Sequence, residues 1–161
     1  MSNLSGFVKR IRDIMRNDAG INGDAQRIEQ IAWMLFLKVY DTKEDDWEFD
    51  YDSYESIIPE ECRWRNWAVD DGKGTAITGD DLLEFINNKL FPALKSIQVS
   101  KTTPINKAIV KTTFEDTNNY MKDGVLLRQV VNVIDELKLD DYEESHAFGD
   151  IYETILKELQ S

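Results

Sequence analysis

Ten consecutive residues, Ile31-Ala32-Trp33-Met34-Leu35-Phe36-Leu37-Lys38-Val39-Tyr40, carry one charge between them, at Lys38. Ile28, Ile31, Ala32, Leu35 and Val39 recur at helical spacing, which predicts a helix opening near Asn22 or Asp24 and running to about Tyr40. Trp33, Met34, Phe36 and Leu37 then fill its other faces. A helix that is apolar nearly all round has to be covered on nearly all sides. Such a segment is the centre of a fold, and the rest of the chain has to supply the elements that cover it.

The rest reads as helix as well. Leu4, Phe7, Val8, Ile11, Ile14 and Met15 describe an amphipathic helix over 4–17. Asn3 or Ser5 is its candidate cap, and Asp18-Ala19-Gly20 its stop, with glycine as a left-handed residue. Thr78 and Asp81 resemble an N-cap with an acid at the third position. The stripe that follows, Leu82, Leu83, Ile86, Leu90, Leu94 and Ile97, holds Pro92, which should kink or divide it. Thr103-Pro104 opens a short helix to about Thr113. Asp123-Gly124 opens another, with Leu126, Leu127, Val130, Ile134 and Leu137 on one face, and a last helix holds Phe148, Ile151, Tyr152, Ile155 and Leu159. Residues 41–77 break the pattern. Asp41, Glu44, Asp45, Asp46, Glu48 and Asp50 interleave with Trp47, Phe49, Tyr51 and Tyr54, followed by Ile57, Ile58, Trp64 and Trp67 and the turn signal Asp71-Gly72-Lys73-Gly74. The expectation is an all-α, compact bundle of about six or seven helices, with a long aromatic and acidic connection after the second helix. Its aromatics would anchor that connection to the core.

At 161 residues the chain can bury a real core as a single domain, 1–161. No apolar run reaches a membrane span, the N-terminus lacks the layout of a signal peptide, and Cys62, the one cysteine, has no internal disulfide partner. A cytoplasmic protein without a membrane partner is the expectation. The net charge is −12, and an acidic chain meets nucleic acid only through local clusters of cations. One is visible: Lys9, Arg12 and Arg16 share the polar face of the first helix, with Arg10 on its flank. These four are the candidates for a contact with DNA phosphate or with an acidic partner, against the plainer reading of a solvated helix face. Arg63 and Arg65, flanking Trp64, are placed to stack on aromatics or to pair with the nearby carboxylates.

Chemistry is harder to find. Gly72 and Gly74 lack the third glycine of a dinucleotide loop, which would fall at Ile77, and Lys73 is not followed by the Ser or Thr of a P-loop. His146 is the one histidine, so neither a two-histidine zinc helix nor a second partner for the Glu143-x-x-His146 spacing can be assembled. No Gly-x-Ser-x-Gly elbow occurs, and nothing brings Cys62 to His146. The residues single out no catalytic, cofactor-binding or metal-ligating position.

Three segments carry a resemblance. Ile31 to Tyr40, then Ile58-Pro59 with Cys62-Arg63-Trp64, then Phe148-Gly149-Asp150-Ile151-Tyr152-Glu153 resemble, in order and spacing, the helical N-terminal domain of type I restriction–modification methylating (M) subunits. What the resemblance implies is a non-catalytic domain that helps to clamp DNA and to contact a specificity (S) subunit, a second M subunit and, in the full complex, a restriction (R) subunit. The S-adenosylmethionine-binding catalytic domain is then expected after residue 161, transferring methyl to adenine N6 at a specific site. Asp150 and Glu153, on the outer side of the last helix, become candidates for the contact with that domain. The Asn/Asp-Pro-Pro-aromatic loop that such chemistry needs has no counterpart here, since Pro59, Pro92 and Pro104 stand apart. A stand-alone acidic helical interaction protein, such as a DNA mimic, is the alternative reading of the same charge.

Overall fold

The computed structural model describes residues 4–137 and, beyond them, Glu153. All regular structure among the described residues is helical: α1 (Leu4–Met15), α2 (Asp24–Asp50), the single-turn α3 (Trp64–Trp67), α4 (Gly79–Phe85), α5 (Phe91–Lys95), α6 (Ile105–Phe114) and α7 (Gly124–Asp135). None of these helices is long and apolar enough to cross a membrane.

The apolar run does sit at the centre. Ile31, Trp33, Met34, Leu35, Phe36, Leu37, Val39 and Tyr40 are all buried. Trp33 meets Phe91 edge-on at 4.9 Å between ring centroids, and Phe114 at 6.4 Å. α1 seals another side with Phe7, Val8, Ile11 and Met15, and α7 packs against α1 and α4 through Leu127, Val130, Val131 and Ile134.

α2 is longer than its apolar pattern predicts. It continues through the acidic residues to Asp50, for 27 residues in all. Tyr40 is therefore not its end, and the connection starts at Tyr51. The physical reason is periodicity of charge: Asp41, Glu44, Asp45 and Glu48 fall at i, i+3, i+4 and i+7, so they line one face, and Arg63 and Arg65 meet that face. The anchoring aromatics split. Trp64 and Trp67 are buried and Trp47 and Tyr54 half-buried, whereas Phe49 and Tyr51 are 88% and 62% exposed.

Pro92 divides its helix as expected. Between α4 and α5 the chain makes a π turn over Ile86–Leu90, which ends two residues before the proline. A widened turn is one way for a helix to accommodate a residue that cannot donate to the turn before it. Two glycines act through space. Gly20 does not have a left-handed backbone, contrary to expectation. A Cβ there would lie 2.0 Å from the Tyr120 carbonyl oxygen, so its hydrogen is what lets the 118–122 segment close in. Gly124 opens α7 where α4 begins, and a Cβ on it would reach to 1.8 Å from the Gly79 oxygen. Asp18 and Gln30, both buried, tie this end together. Asp18 accepts from the backbone N–H groups of Gly20, Lys122 and Asp123. Gln30 donates to Asn119 and accepts from the Tyr120 N–H.

Candidate interaction surfaces

The four cations of α1 and the turn that follows it, Lys9, Arg10, Arg12 and Arg16, do not form one free basic strip. Lys9 and Arg16 both reach Asp13, at 3.2 and 3.6 Å, and remain solvent-exposed. Arg10 turns away and forks onto Glu136 just after α7, at 3.1 and 3.4 Å. That contact joins α1 to the end of α7, a structural role. Arg12 is half-buried. An exposed pair of cations sharing one carboxylate, Lys9 on α1 and Arg16 just past its end, is what this face offers to a phosphate. Of the two residues expected to touch a following domain, Glu153 is helical and exposed, while Asp150 lies outside the described residues. His146 lies outside them too.

The second surface is the seam between the acidic half of α2 and the Cys62–Trp67 segment. Arg63, buried, lies 3.4 Å from Glu44, 3.0 Å from Glu48 and 3.4 Å from Glu60. Arg65 binds Asp41 through Nε at 2.9 Å, Glu48 at 2.8 Å and Asp45 at 3.1 Å. Of the two roles open to these arginines, pairing with carboxylates is the one observed. Glu44 is wholly buried and also accepts from the Tyr54 hydroxyl at 2.5 Å. Burial first, and then Glu44, pushes the Tyr54 phenol far above its ordinary range. Burial raises the Asp41 carboxyl despite Arg65. At Glu48 burial acts upward too, but hydrogen bonds from Arg65 and Arg63 hold the carboxyl below its ordinary value. The same logic disposes of Cys62: burial, with Glu61 beside it, pushes the thiol up to about 11, which leaves little thiolate at neutral pH.

Arg128 is a residue that sequence reasoning missed. Buried in the middle of α7, its guanidinium donates to the carbonyls of Ala68, Trp67 and Ile77 and to Asn132. It closes the carbonyl end of α3, where the helix dipole favours a cation. The spacing to Asn132 at i+4 was the only local hint, and the carbonyl partners lie 51 to 61 residues away in sequence.

The third surface is an apolar groove of about 960 Å³ between α2 and α6, with Ile28, Ala32, Phe36, Tyr40 and Trp47 on one side and Ile109 and Thr113 on the other. Nothing in the sequence marked it, because the same residues read equally well as core.

Comparison with known proteins gives these surfaces a context. Residues 4–134 match the family model described as the HsdM N-terminal domain. The chain is 49% identical over 162 residues to the type I restriction enzyme EcoEI methylase subunit of Escherichia coli, covering 98% of this chain and 32% of that protein. Its fold matches that of a modification subunit of a putative type I restriction enzyme from Vibrio vulnificus YJ016, with TM-score 0.85 and 35% identity over 98% of this chain and 35% of that one. It also matches a chain from a type I R-M system structure concerned with complex assembly and conformational transition, with TM-score 0.74 and 29% identity over 97% of this chain and 30% of that one. The chain thus spans about a third of the length of the relatives it matches.

Proposed function

The chain belongs to the HsdM N-terminal domain family, the N-terminal domain of type I restriction–modification methylase subunits, and from that premise we propose that it contributes contacts to DNA and to neighbouring subunits while supplying no catalytic residue itself. Adenine-N6 methylation, the S-adenosylmethionine site and the S, second M and R subunits as partners belong to this proposal, as does a cytoplasmic location. The described residues do not suit the cofactor: Gly72 and Gly74 stand on an exposed turn between α3 and α4, not between a strand and a helix. The reading therefore places methyl transfer in a domain other than this one. The observation that carries it is the identity to a methylase subunit along nearly the whole chain. That breadth favours the subunit reading over a free-standing acidic DNA mimic.

Lys9 and Arg16 are the residues on which the DNA part of the reading depends. In the assembled methylase complex, Lys9→Glu with Arg16→Glu should weaken DNA binding and flatten its salt dependence. The slope of log K against log salt should fall by about 0.9 for each phosphate that these side chains neutralise. An unchanged slope would remove α1 from the DNA interface and leave subunit contact as the role of this domain.

A further inference from the structure

The geometry points to the α2–α6 groove as the seat of an amphipathic helix with basic flanks, supplied by another polypeptide. This deepens the subunit-contact part of the proposed function and is independent of the DNA part. Length excludes a small compact ligand. The α2 residues lining the groove run from Ala25 to Trp47, which at 1.5 Å per residue is about 33 Å. The second wall, from Asn106 to Thr117, accompanies about 17 Å of that length, so an elongated trough, apolar along its floor, matches a helix of about three to five turns laying one stripe of side chains into it. The α6 wall is unfinished. Ile109 lines the groove while 46% exposed, and Ile105, one turn earlier on the same helix, is more exposed still.

Charge selects the kind of helix. Glu29 and Asp116 line the groove against one cation, Lys43. Exposed Asp46, Asp50 and Glu115 stand beside these residues on or next to the same two helices. The other cations of these helices are turned to different partners: Arg27 to Asp24, Lys38 to Asp135, Lys107 to the Glu55 carbonyl and Lys111 to the Lys95 carbonyl. An apolar trough with an acidic rim attracts lysine and arginine at the edges of an incoming helix. The same argument disfavours two nearer occupants. Residues 138–161 hold seven acidic residues against Lys138 and Lys157, and a second copy of this chain brings a net charge of −12.

The test uses synthetic 18-residue peptides of leucine and lysine titrated into the 161-residue chain. One has leucines at helical i, i+3, i+4, i+7 spacing, one is a scramble of identical composition, and one replaces lysine by glutamate. The patterned lysine peptide should bind at least tenfold more tightly than either control and should shift the methyl resonances of Ala32 and Ile109. Ile109→Arg should weaken it tenfold, and Thr113→Arg is the second variant should the first disturb the fold, as judged by circular dichroism. Equal binding of the scramble would reduce the effect to attraction by an acidic chain and overturn the proposal. So would binding indifferent to both variants, or no binding. Nuclear Overhauser contacts from Ile109 to Ile151 or Ile155 in the free chain would instead assign the groove to the chain's own C-terminal segment. A dimer abolished by Ile109→Arg would assign it to a second copy. These readouts concern the groove alone, so their failure is distinguishable from failure of the DNA reading at α1.

Discussion

The two halves of α2 are buried by different forces. From Ile31 to Tyr40 the helix is buried among apolar side chains, Phe91 of α5 and Phe114 of α6 among them, with the groove along one side. From Asp41 to Asp50 the face turned to the rest of the protein is a row of carboxylates met by two arginines. In the first half, burial removes apolar surface from water and needs no particular partner atom. In the second, each contact needs a specific opposite charge, and a buried carboxylate such as Glu44 is tolerated only while its partners stay in place. One continuous helix therefore has an inner half whose stability is diffuse and an outer half whose stability is concentrated in Arg63 and Arg65.

The sharpest way to break the comparison is to cut each half separately. Trp33→Ala, in the inner half, removes a side chain that is 1% exposed and held edge-on between Phe91 and Phe114. It should cost about 3–5 kcal/mol in urea denaturation, a large share of the total stability of a domain this size. Arg63→Ala, in the outer half, leaves Glu44 buried with the Tyr54 hydroxyl alone, and should cost about 3 kcal/mol. The two losses should differ in distribution. Hydrogen exchange in Trp33→Ala should rise along the whole helix, whereas in Arg63→Ala it should rise over 41–50 and stay near wild type over 31–40. Uniform loss of protection in Arg63→Ala would show that α2 is one cooperative unit and that the distinction between its halves is only chemical.

Much of this was legible in the sequence, and the boundary of legibility follows the same division. Positions buried by apolar contact announce themselves by spacing: the Ile31–Tyr40 run, the α1 stripe from Phe7 to Met15 and the face of α7 all pack as their periodicity requires. Positions held by specific polar partners do not. The outer half of α2 reads as a connection because its stabilising charges, Arg63 and Arg65, come from a separate segment. Arg10 reads as part of a basic face, but its partner Glu136 is 126 residues away. Gly20 reads as a helix stop, but its reason lies at Tyr120. The groove was illegible for the opposite cause. An apolar residue that lines a trough and one that fills a core have the same pattern, and only the missing neighbour distinguishes them.

Acid should sharpen the comparison, with the smallest effect of the three. Glu48 is held below its ordinary carboxylate value, with burial opposed by hydrogen bonds from Arg65 and Arg63. Glu60 is held low by the hydrogen bond from Asn66 and then by Arg63. A carboxyl whose folded pKa is depressed stabilises the fold above its unfolded value, about 4.3 for glutamate, and loses that contribution as pH falls through the folded value. Asp41 has the opposite sign. Burial raises it, so its ionised form costs stability near neutrality, and that cost is relieved as pH falls through its raised value, above about 3.9. The outer half of α2 should thus lose nothing at Glu48 and Glu60 from neutrality down to about 5, should gain as Asp41 takes up its proton, and should loosen below about 4, where the relief at Asp41 is complete and the loss at Glu48 and Glu60 continues. Hydrogen exchange over 41–50, corrected for the intrinsic pH dependence of the rates, would show it, with 31–40 as the internal control. Arg65→Ala should shrink the response, because it removes a shared partner of Asp41 and Glu48. Loosening that begins near pH 6 would point to a group other than these carboxylates and detach the outer half from its arginines.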